Sequence, residues 1–66
     1  MTDVLVFCDP DGVHYVAAFD DAWFRWPAEA HGWRSRTKIR EPDVDALEQL
    51  EPRLAWLALR LSGVEV

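Results

Sequence analysis

Apolar residues cluster at Val4-Leu5-Val6-Phe7-Cys8, return from Val13 to Phe19, and return again from Ala22 to Trp26. Each run is short, rich in β-branched or aromatic side chains, and bounded by turn residues, which predicts strands rather than helices. Between the first two runs, Asp9-Pro10-Asp11-Gly12 combines a proline that presets φ, aspartates able to bond nearby backbone, and a glycine that accepts positive φ. A hairpin is expected there. Asp20-Asp21 predicts a second hairpin, with weaker turn chemistry than Asp-Gly. From Trp33 to Arg40 the alternation is sharp: Trp33, Ser35, Thr37 and Ile39 point one way, and Arg34, Arg36, Lys38 and Arg40 the other. In the last third the period changes. Leu47, Leu50, Leu54, Leu57 and Leu61 recur at three- and four-residue spacing, which predicts a helix. Pro42 and Asp43 suit its start, Pro52 should kink or split it, and Gly63 should stop it.

These elements predict an α+β fold, in one small domain over 1–66. An antiparallel meander of three or four strands (about 4–8, 13–19, 22–26 and 33–39) packs against a C-terminal helical segment of about 43–62. A two-residue turn at Asp20-Asp21 sets Phe19 opposite Ala22, Ala17 opposite Phe24 and Tyr15 opposite Trp26. With Val4, Val6 and Cys8 they form one apolar face, and the leucine stripe is expected to cover it. The second face holds Leu5, Phe7, His14, Val16, Ala18, Trp23 and Arg25, more apolar than an outer sheet face usually is. The bases of Trp33–Arg40 are expected to join Trp23 and Arg25 on this face, while Trp56 and Leu59 fall opposite the leucine stripe.

Composition narrows the picture. A chain of 66 residues with a single cysteine cannot form an internal disulfide, so a reducing, cytoplasmic setting is expected. Eight aromatic residues, four of them Trp, are the substitute for covalent staples in so small a core. No run is long and apolar enough to span a membrane, and Met1-Thr2-Asp3 lacks the basic start of a secretion signal. The net charge of −5 conceals a basic block, with five bases and one acid in 22–40, between two acidic ones. That balance disfavours indiscriminate nucleic-acid binding but leaves a surface able to meet an acidic partner.

Catalytic patterns are weak. Asp9 and Asp11 should lie at one end of the first hairpin strand and Asp20 and Asp21 at the other, about 23 Å apart, too far to share a proton. Cys8, His14 and His31 lack zinc-type spacing, and no phosphate loop or nucleophile elbow occurs. Neither a metal nor another cofactor is expected. Trp26-Pro27 followed by Gly32-Trp33, after a hairpin and before a C-terminal helix, resembles the spacing in MbtH-like proteins, small accessory proteins that dock on adenylation domains of nonribosomal peptide synthetases. Phe24 stands where that family has Ser, the loop is shorter, and the family's C-terminal Trp-x-Asp-x-Arg-Pro element is missing, so no functional residues are carried over.

The expectation from sequence is a non-catalytic accessory or regulatory module, an inhibitor or adaptor that binds a protein. Its candidate residues are Trp23, Arg25, Arg34, Arg36, Lys38 and Arg40 on the sheet, with Trp56 and Leu59 on the helix. The partner expected is a protein with an acidic surface or a second copy of the chain. The alternative is a nucleic-acid binder using Arg34, Arg36, Lys38 and Arg40, with Trp23 stacking on bases.

Overall fold

A computed structural model describes residues 4–65; Met1-Thr2-Asp3 and Val66, within the expected domain span, lie outside the described residues. Five strands form one antiparallel sheet: β1 (Val6–Cys8), β2 (His14–Phe19), β3 (Ala22–Pro27), β4 (Thr37–Ile39) and β5 (Glu48–Gln49), in the order β4-β3-β2-β1-β5. One helix, α1 (Pro52–Leu61), packs on it, so the fold is α+β as expected, with more strands than the sequence suggested.

The central hairpin forms in the expected register, with Phe19 opposite Ala22, Ala17 opposite Phe24 and Tyr15 opposite Trp26. Asp20 and Asp21 both take positive φ, the requirement of a tight type I′ turn, which Asp tolerates better than most residues. Val6 pairs with Ala17 and Cys8 with Tyr15, so the first face is assembled as the alternation predicted. Its core joins Val6, Ala17 and Trp26 to Ala55, Leu59 and Val64.

Three expectations are corrected. The first concerns Trp33–Arg40, which is not one strand. Gly32–Ser35 forms a 3-10 turn, and only Thr37–Ile39 joins the sheet. The turn brings the Trp33 ring to 5.0 Å from those of Phe19 and Trp26, so aromatic packing overrides strand alternation here. In consequence Lys38 does not share a face with Trp23 and Arg25. Ile39 pairs with Trp23 and Thr37 with Arg25, while Lys38 pairs with Phe24 on the opposite face.

The second concerns the helix, which begins at Pro52 rather than near Asp43. Residues 44–46 form only a 3-10 turn, in which the Asp43 carboxylate accepts the Asp45 N–H at 3.2 Å, a local bond that competes with helix. Glu48–Gln49 then pairs with β1, and the Leu50 N–H donates to the Val6 carbonyl at 2.9 Å. These bonds satisfy what would otherwise be an exposed edge of β1. Glu51, restricted by the following proline, is extended (φ −64°, ψ 156°), and Pro52 occupies the first helical turn without disrupting it.

The third concerns which side of α1 faces the sheet. Ala55, Ala58, Leu59 and Ser62 are buried, while Leu54, Leu57 and Leu61 of the leucine stripe are exposed. The physical reason is volume. Phe19, Phe24, Trp26 and Trp33 already fill the space above the sheet, so a close-packed helix must present small residues to them.

The far end of α1 is fixed by a Schellman motif. Gly63, at φ 86°, lets its N–H bond the Arg60 carbonyl, and the Val64 N–H bonds that of Leu59. The loop after β3 caps the same end, since the N–H groups of His31 and Trp33 donate to the carbonyls of Leu61 and Ser62, both at 3.1 Å. Gly32 lets this loop fold tightly on itself, because a Cβ there would run into the Pro27 carbonyl oxygen.

β4 and β5 occupy opposite edges, so residues 40–47 must cross the sheet. Phe7 and Val16 are buried on the face turned away from α1. Among the described residues, no helix is long and apolar enough to cross a membrane.

Candidate functional site

The sheet brings together fewer of the candidate residues than the alternation implied. Trp23 is half-buried on the second face, its ring 6.3 Å from that of Phe7 and its backbone beside Ile39. Arg25 is exposed on the same face, and its Nη2 donates to Asp9 Oδ2 at 3.1 Å. The same Nη2 lies 3.3 Å from His14 Nδ1, which is itself 3.5 Å from Asp9 Oδ2. The turn after β1 supplies Asp9, and strand alternation on β2 and β3 places His14 and Arg25 beside it. Arg25 is thereby engaged by an acid of its own chain.

Next to this cluster, His14, Arg25, Pro27, Ser35, Thr37 and Ile39 line a depression of about 190 Å³. Its polar groups could hydrogen-bond a small molecule. For acid–base or nucleophilic chemistry, however, Cys8 is misplaced, because it belongs to the opposite face with Tyr15. Burial pushes the Cys8 thiol pKa up, with Glu48 and Asp9 adding to the shift, so the reactive thiolate is disfavoured. Among the described residues, no group of three or more His, Cys, Asp or Glu side chains is arranged to hold a metal ion.

The remaining sheet candidates lie on the 3-10 turn and along β4. Arg34 is exposed on the 3-10 turn. The Arg36 guanidinium stacks 4.6 Å above the Trp33 ring, with Nη1 donating to the Trp33 carbonyl at 3.3 Å. Lys38 and Arg40 are exposed on and just beyond β4.

The helix presents a different surface. Leu59, expected on its outer side, is only 3% exposed and belongs to the core, which removes it from any docking face. Trp56 is 55% exposed, and the Arg60 guanidinium sits 5.2 Å from its ring. Leu54, Leu57 and Leu61 are 51%, 44% and 59% exposed. Pro52, Arg53, Trp56 and Leu57 line a shallow, almost wholly apolar groove of about 470 Å³.

Leu54, Leu57, Leu61, Arg53 and Arg60 were not candidates from sequence. A signal for them existed in Ala55, Ala58 and Ser62, small residues on one side of the helix facing a sheet loaded with aromatics.

No family model, curated protein or solved structure matches the chain. The spacing that resembles MbtH-like proteins rests on Trp26-Pro27 and Gly32-Trp33. Here those residues build the aromatic stack and the cap on α1.

Proposed function

We propose that this chain is a small non-catalytic accessory or regulatory module that binds a protein through the outer face of α1. One observation carries the reading: the helix is anchored by its small side, and its bulkier apolar side is turned to solvent. Burying a leucine or similar side chain contributes about 1.5–3 kcal/mol, so a partner covering Leu54, Leu57 and Leu61 gains substantially. Arg53, Arg60 and Trp56 belong to the residue types most enriched at the energetic centres of interfaces. The wider sheet surface expected from sequence supports this role less well, because Lys38 and Arg25 lie on opposite faces and Arg25 already pairs with Asp9. Nucleic-acid binding by Arg34, Arg36, Lys38 and Arg40 has weaker support, because Trp23, expected to stack on bases, lies on the face opposite Lys38, beside a net charge of −5.

Photocrosslinking in the cells that make the protein tests the reading. A benzophenone side chain at position 57 should give discrete protein adducts, and the same group at exposed Val13 on the hairpin should give none. Absence of adducts at 57, or equal labelling at 13, would remove α1 as the docking surface.

A further inference from the structure

Resting on that reading, we infer that the occupant of the outer α1 face is a second copy of this chain, with the two helices packed antiparallel about a two-fold axis. Three observations lead there.

The first is area. The protein exposes 5025 Å² for a mass of 7.6 kDa. A monomer of that mass ordinarily exposes about 4300 Å². The difference is not one of elongation, because the radius of gyration of 10.5 Å is close to the roughly 10.8 Å of a compact chain of this length. The excess, about 700 Å², is close to the roughly 800 Å² each partner contributes to a standard interface.

The second is shape. Leu54, Leu57 and Leu61 follow the three-four spacing of a helix-pairing seam. A two-fold interface requires one patch complementary to itself, which such a seam provides.

The third is charge, and it sets the direction. Residues 52–61 hold two bases and no acid, while Glu48 and Glu51 lie just before the helix. Both glutamates are exposed, and neither forms an ion pair among the described residues. A parallel pair would set Arg53 against Arg53 and Arg60 against Arg60. An antiparallel pair that places Leu54 of one copy beside Leu57 of the other also brings each Arg60 toward the other copy's Glu51. The helix macrodipoles then oppose head to tail.

Sedimentation equilibrium from micromolar to about 1 mM protein tests the pairing, spanning the range of weak to moderate self-association. The wild type should show a monomer–dimer equilibrium. Leu57→Glu should weaken it at least about tenfold, with far-UV circular dichroism and melting of the monomer unchanged. Arg60→Glu and Glu51→Arg should each weaken it, and the double variant should regain most of the loss. A wild type that stays monomeric to about 1 mM would overturn the pairing, as would a dimer indifferent to Leu57→Glu or not restored by the charge exchange. The crosslink at position 57 separates the two levels of argument. An adduct of twice the chain mass supports self-pairing. A monomer that instead crosslinks to a different protein refutes self-pairing and leaves the docking reading intact, whereas a monomer with no adduct refutes both.

Discussion

The two sides of α1 belong to one ten-residue helix yet answer to different constraints. Its inner side, Ala55, Ala58, Leu59 and Ser62, lies against a sheet already filled by Phe19, Phe24, Trp26 and Trp33, and is small because little volume remains. Its outer side carries Leu54, Trp56, Leu57 and Leu61, larger in total and largely open to solvent. Hydrophobicity alone would have turned the helix the other way. Volume decides instead: the aromatics do the work of a core and leave the leucines open to solvent.

The largest expected effect distinguishes the two sides directly. Leu59→Ala should destabilise the monomer by about 2–5 kcal/mol in chemical denaturation, as buried leucine truncations do. Leu54→Ala should change it by no more than about 0.5 kcal/mol, the usual range for surface positions. Equal losses at both would erase the distinction. Next, enlarging the inner side should hurt. Ala58→Leu should cost about 1–3 kcal/mol through overpacking against the aromatic layer, and a neutral result would mean that space remains there.

Smaller effects sharpen the account of the sheet that supports the helix. Asp21→Gly relieves a positive φ in the β2–β3 turn and should raise the melting midpoint by the equivalent of a few tenths to about 1 kcal/mol. A loss instead would show that the Asp21 side chain supports the turn. The smallest effect concerns Cys8. Its thiol holds its proton more tightly in the folded chain, chiefly through burial, with Glu48 and Asp9 contributing. As pH rises past the ordinary thiol range, the unfolded chain releases that proton first, so stability should fall. In Cys8→Ser that part of the slope should vanish, which a denaturant titration at successive alkaline pH values would detect.

Legibility from sequence divides along similar lines. The hairpins could be read residue by residue because alternation and turn chemistry are local, and they fixed Tyr15 opposite Trp26 and Phe19 opposite Ala22. Gly63 likewise marked the C-terminal end of the helix through a backbone rule that needs no neighbours, whereas Pro52, expected to kink or split a helix begun near Asp43, instead starts it. The failures lay where distant parts compete. Leu47 and Leu50 continued the leucine spacing, but the strand edge of β1 claimed the adjoining backbone. Trp33 alternated as a strand residue would, yet the aromatic cluster drew it into a turn. The outward turn of Leu54, Leu57 and Leu61 was missed for the same cause, since the leucine spacing identifies an amphipathic helix but not which side the remaining volume admits. Only Trp56, among the helix candidates, kept its expected exposure.

The outward leucine stripe is the claim on which the rest depends. It is tested most directly by methyl NMR of a dilute sample containing a soluble paramagnetic agent. Strong relaxation of the Leu54, Leu57 and Leu61 methyls beside a protected Leu59 is the predicted result. Protected Leu54 and Leu57 beside a relaxed Leu59 would mean that the helix is turned the other way, and would contradict the account.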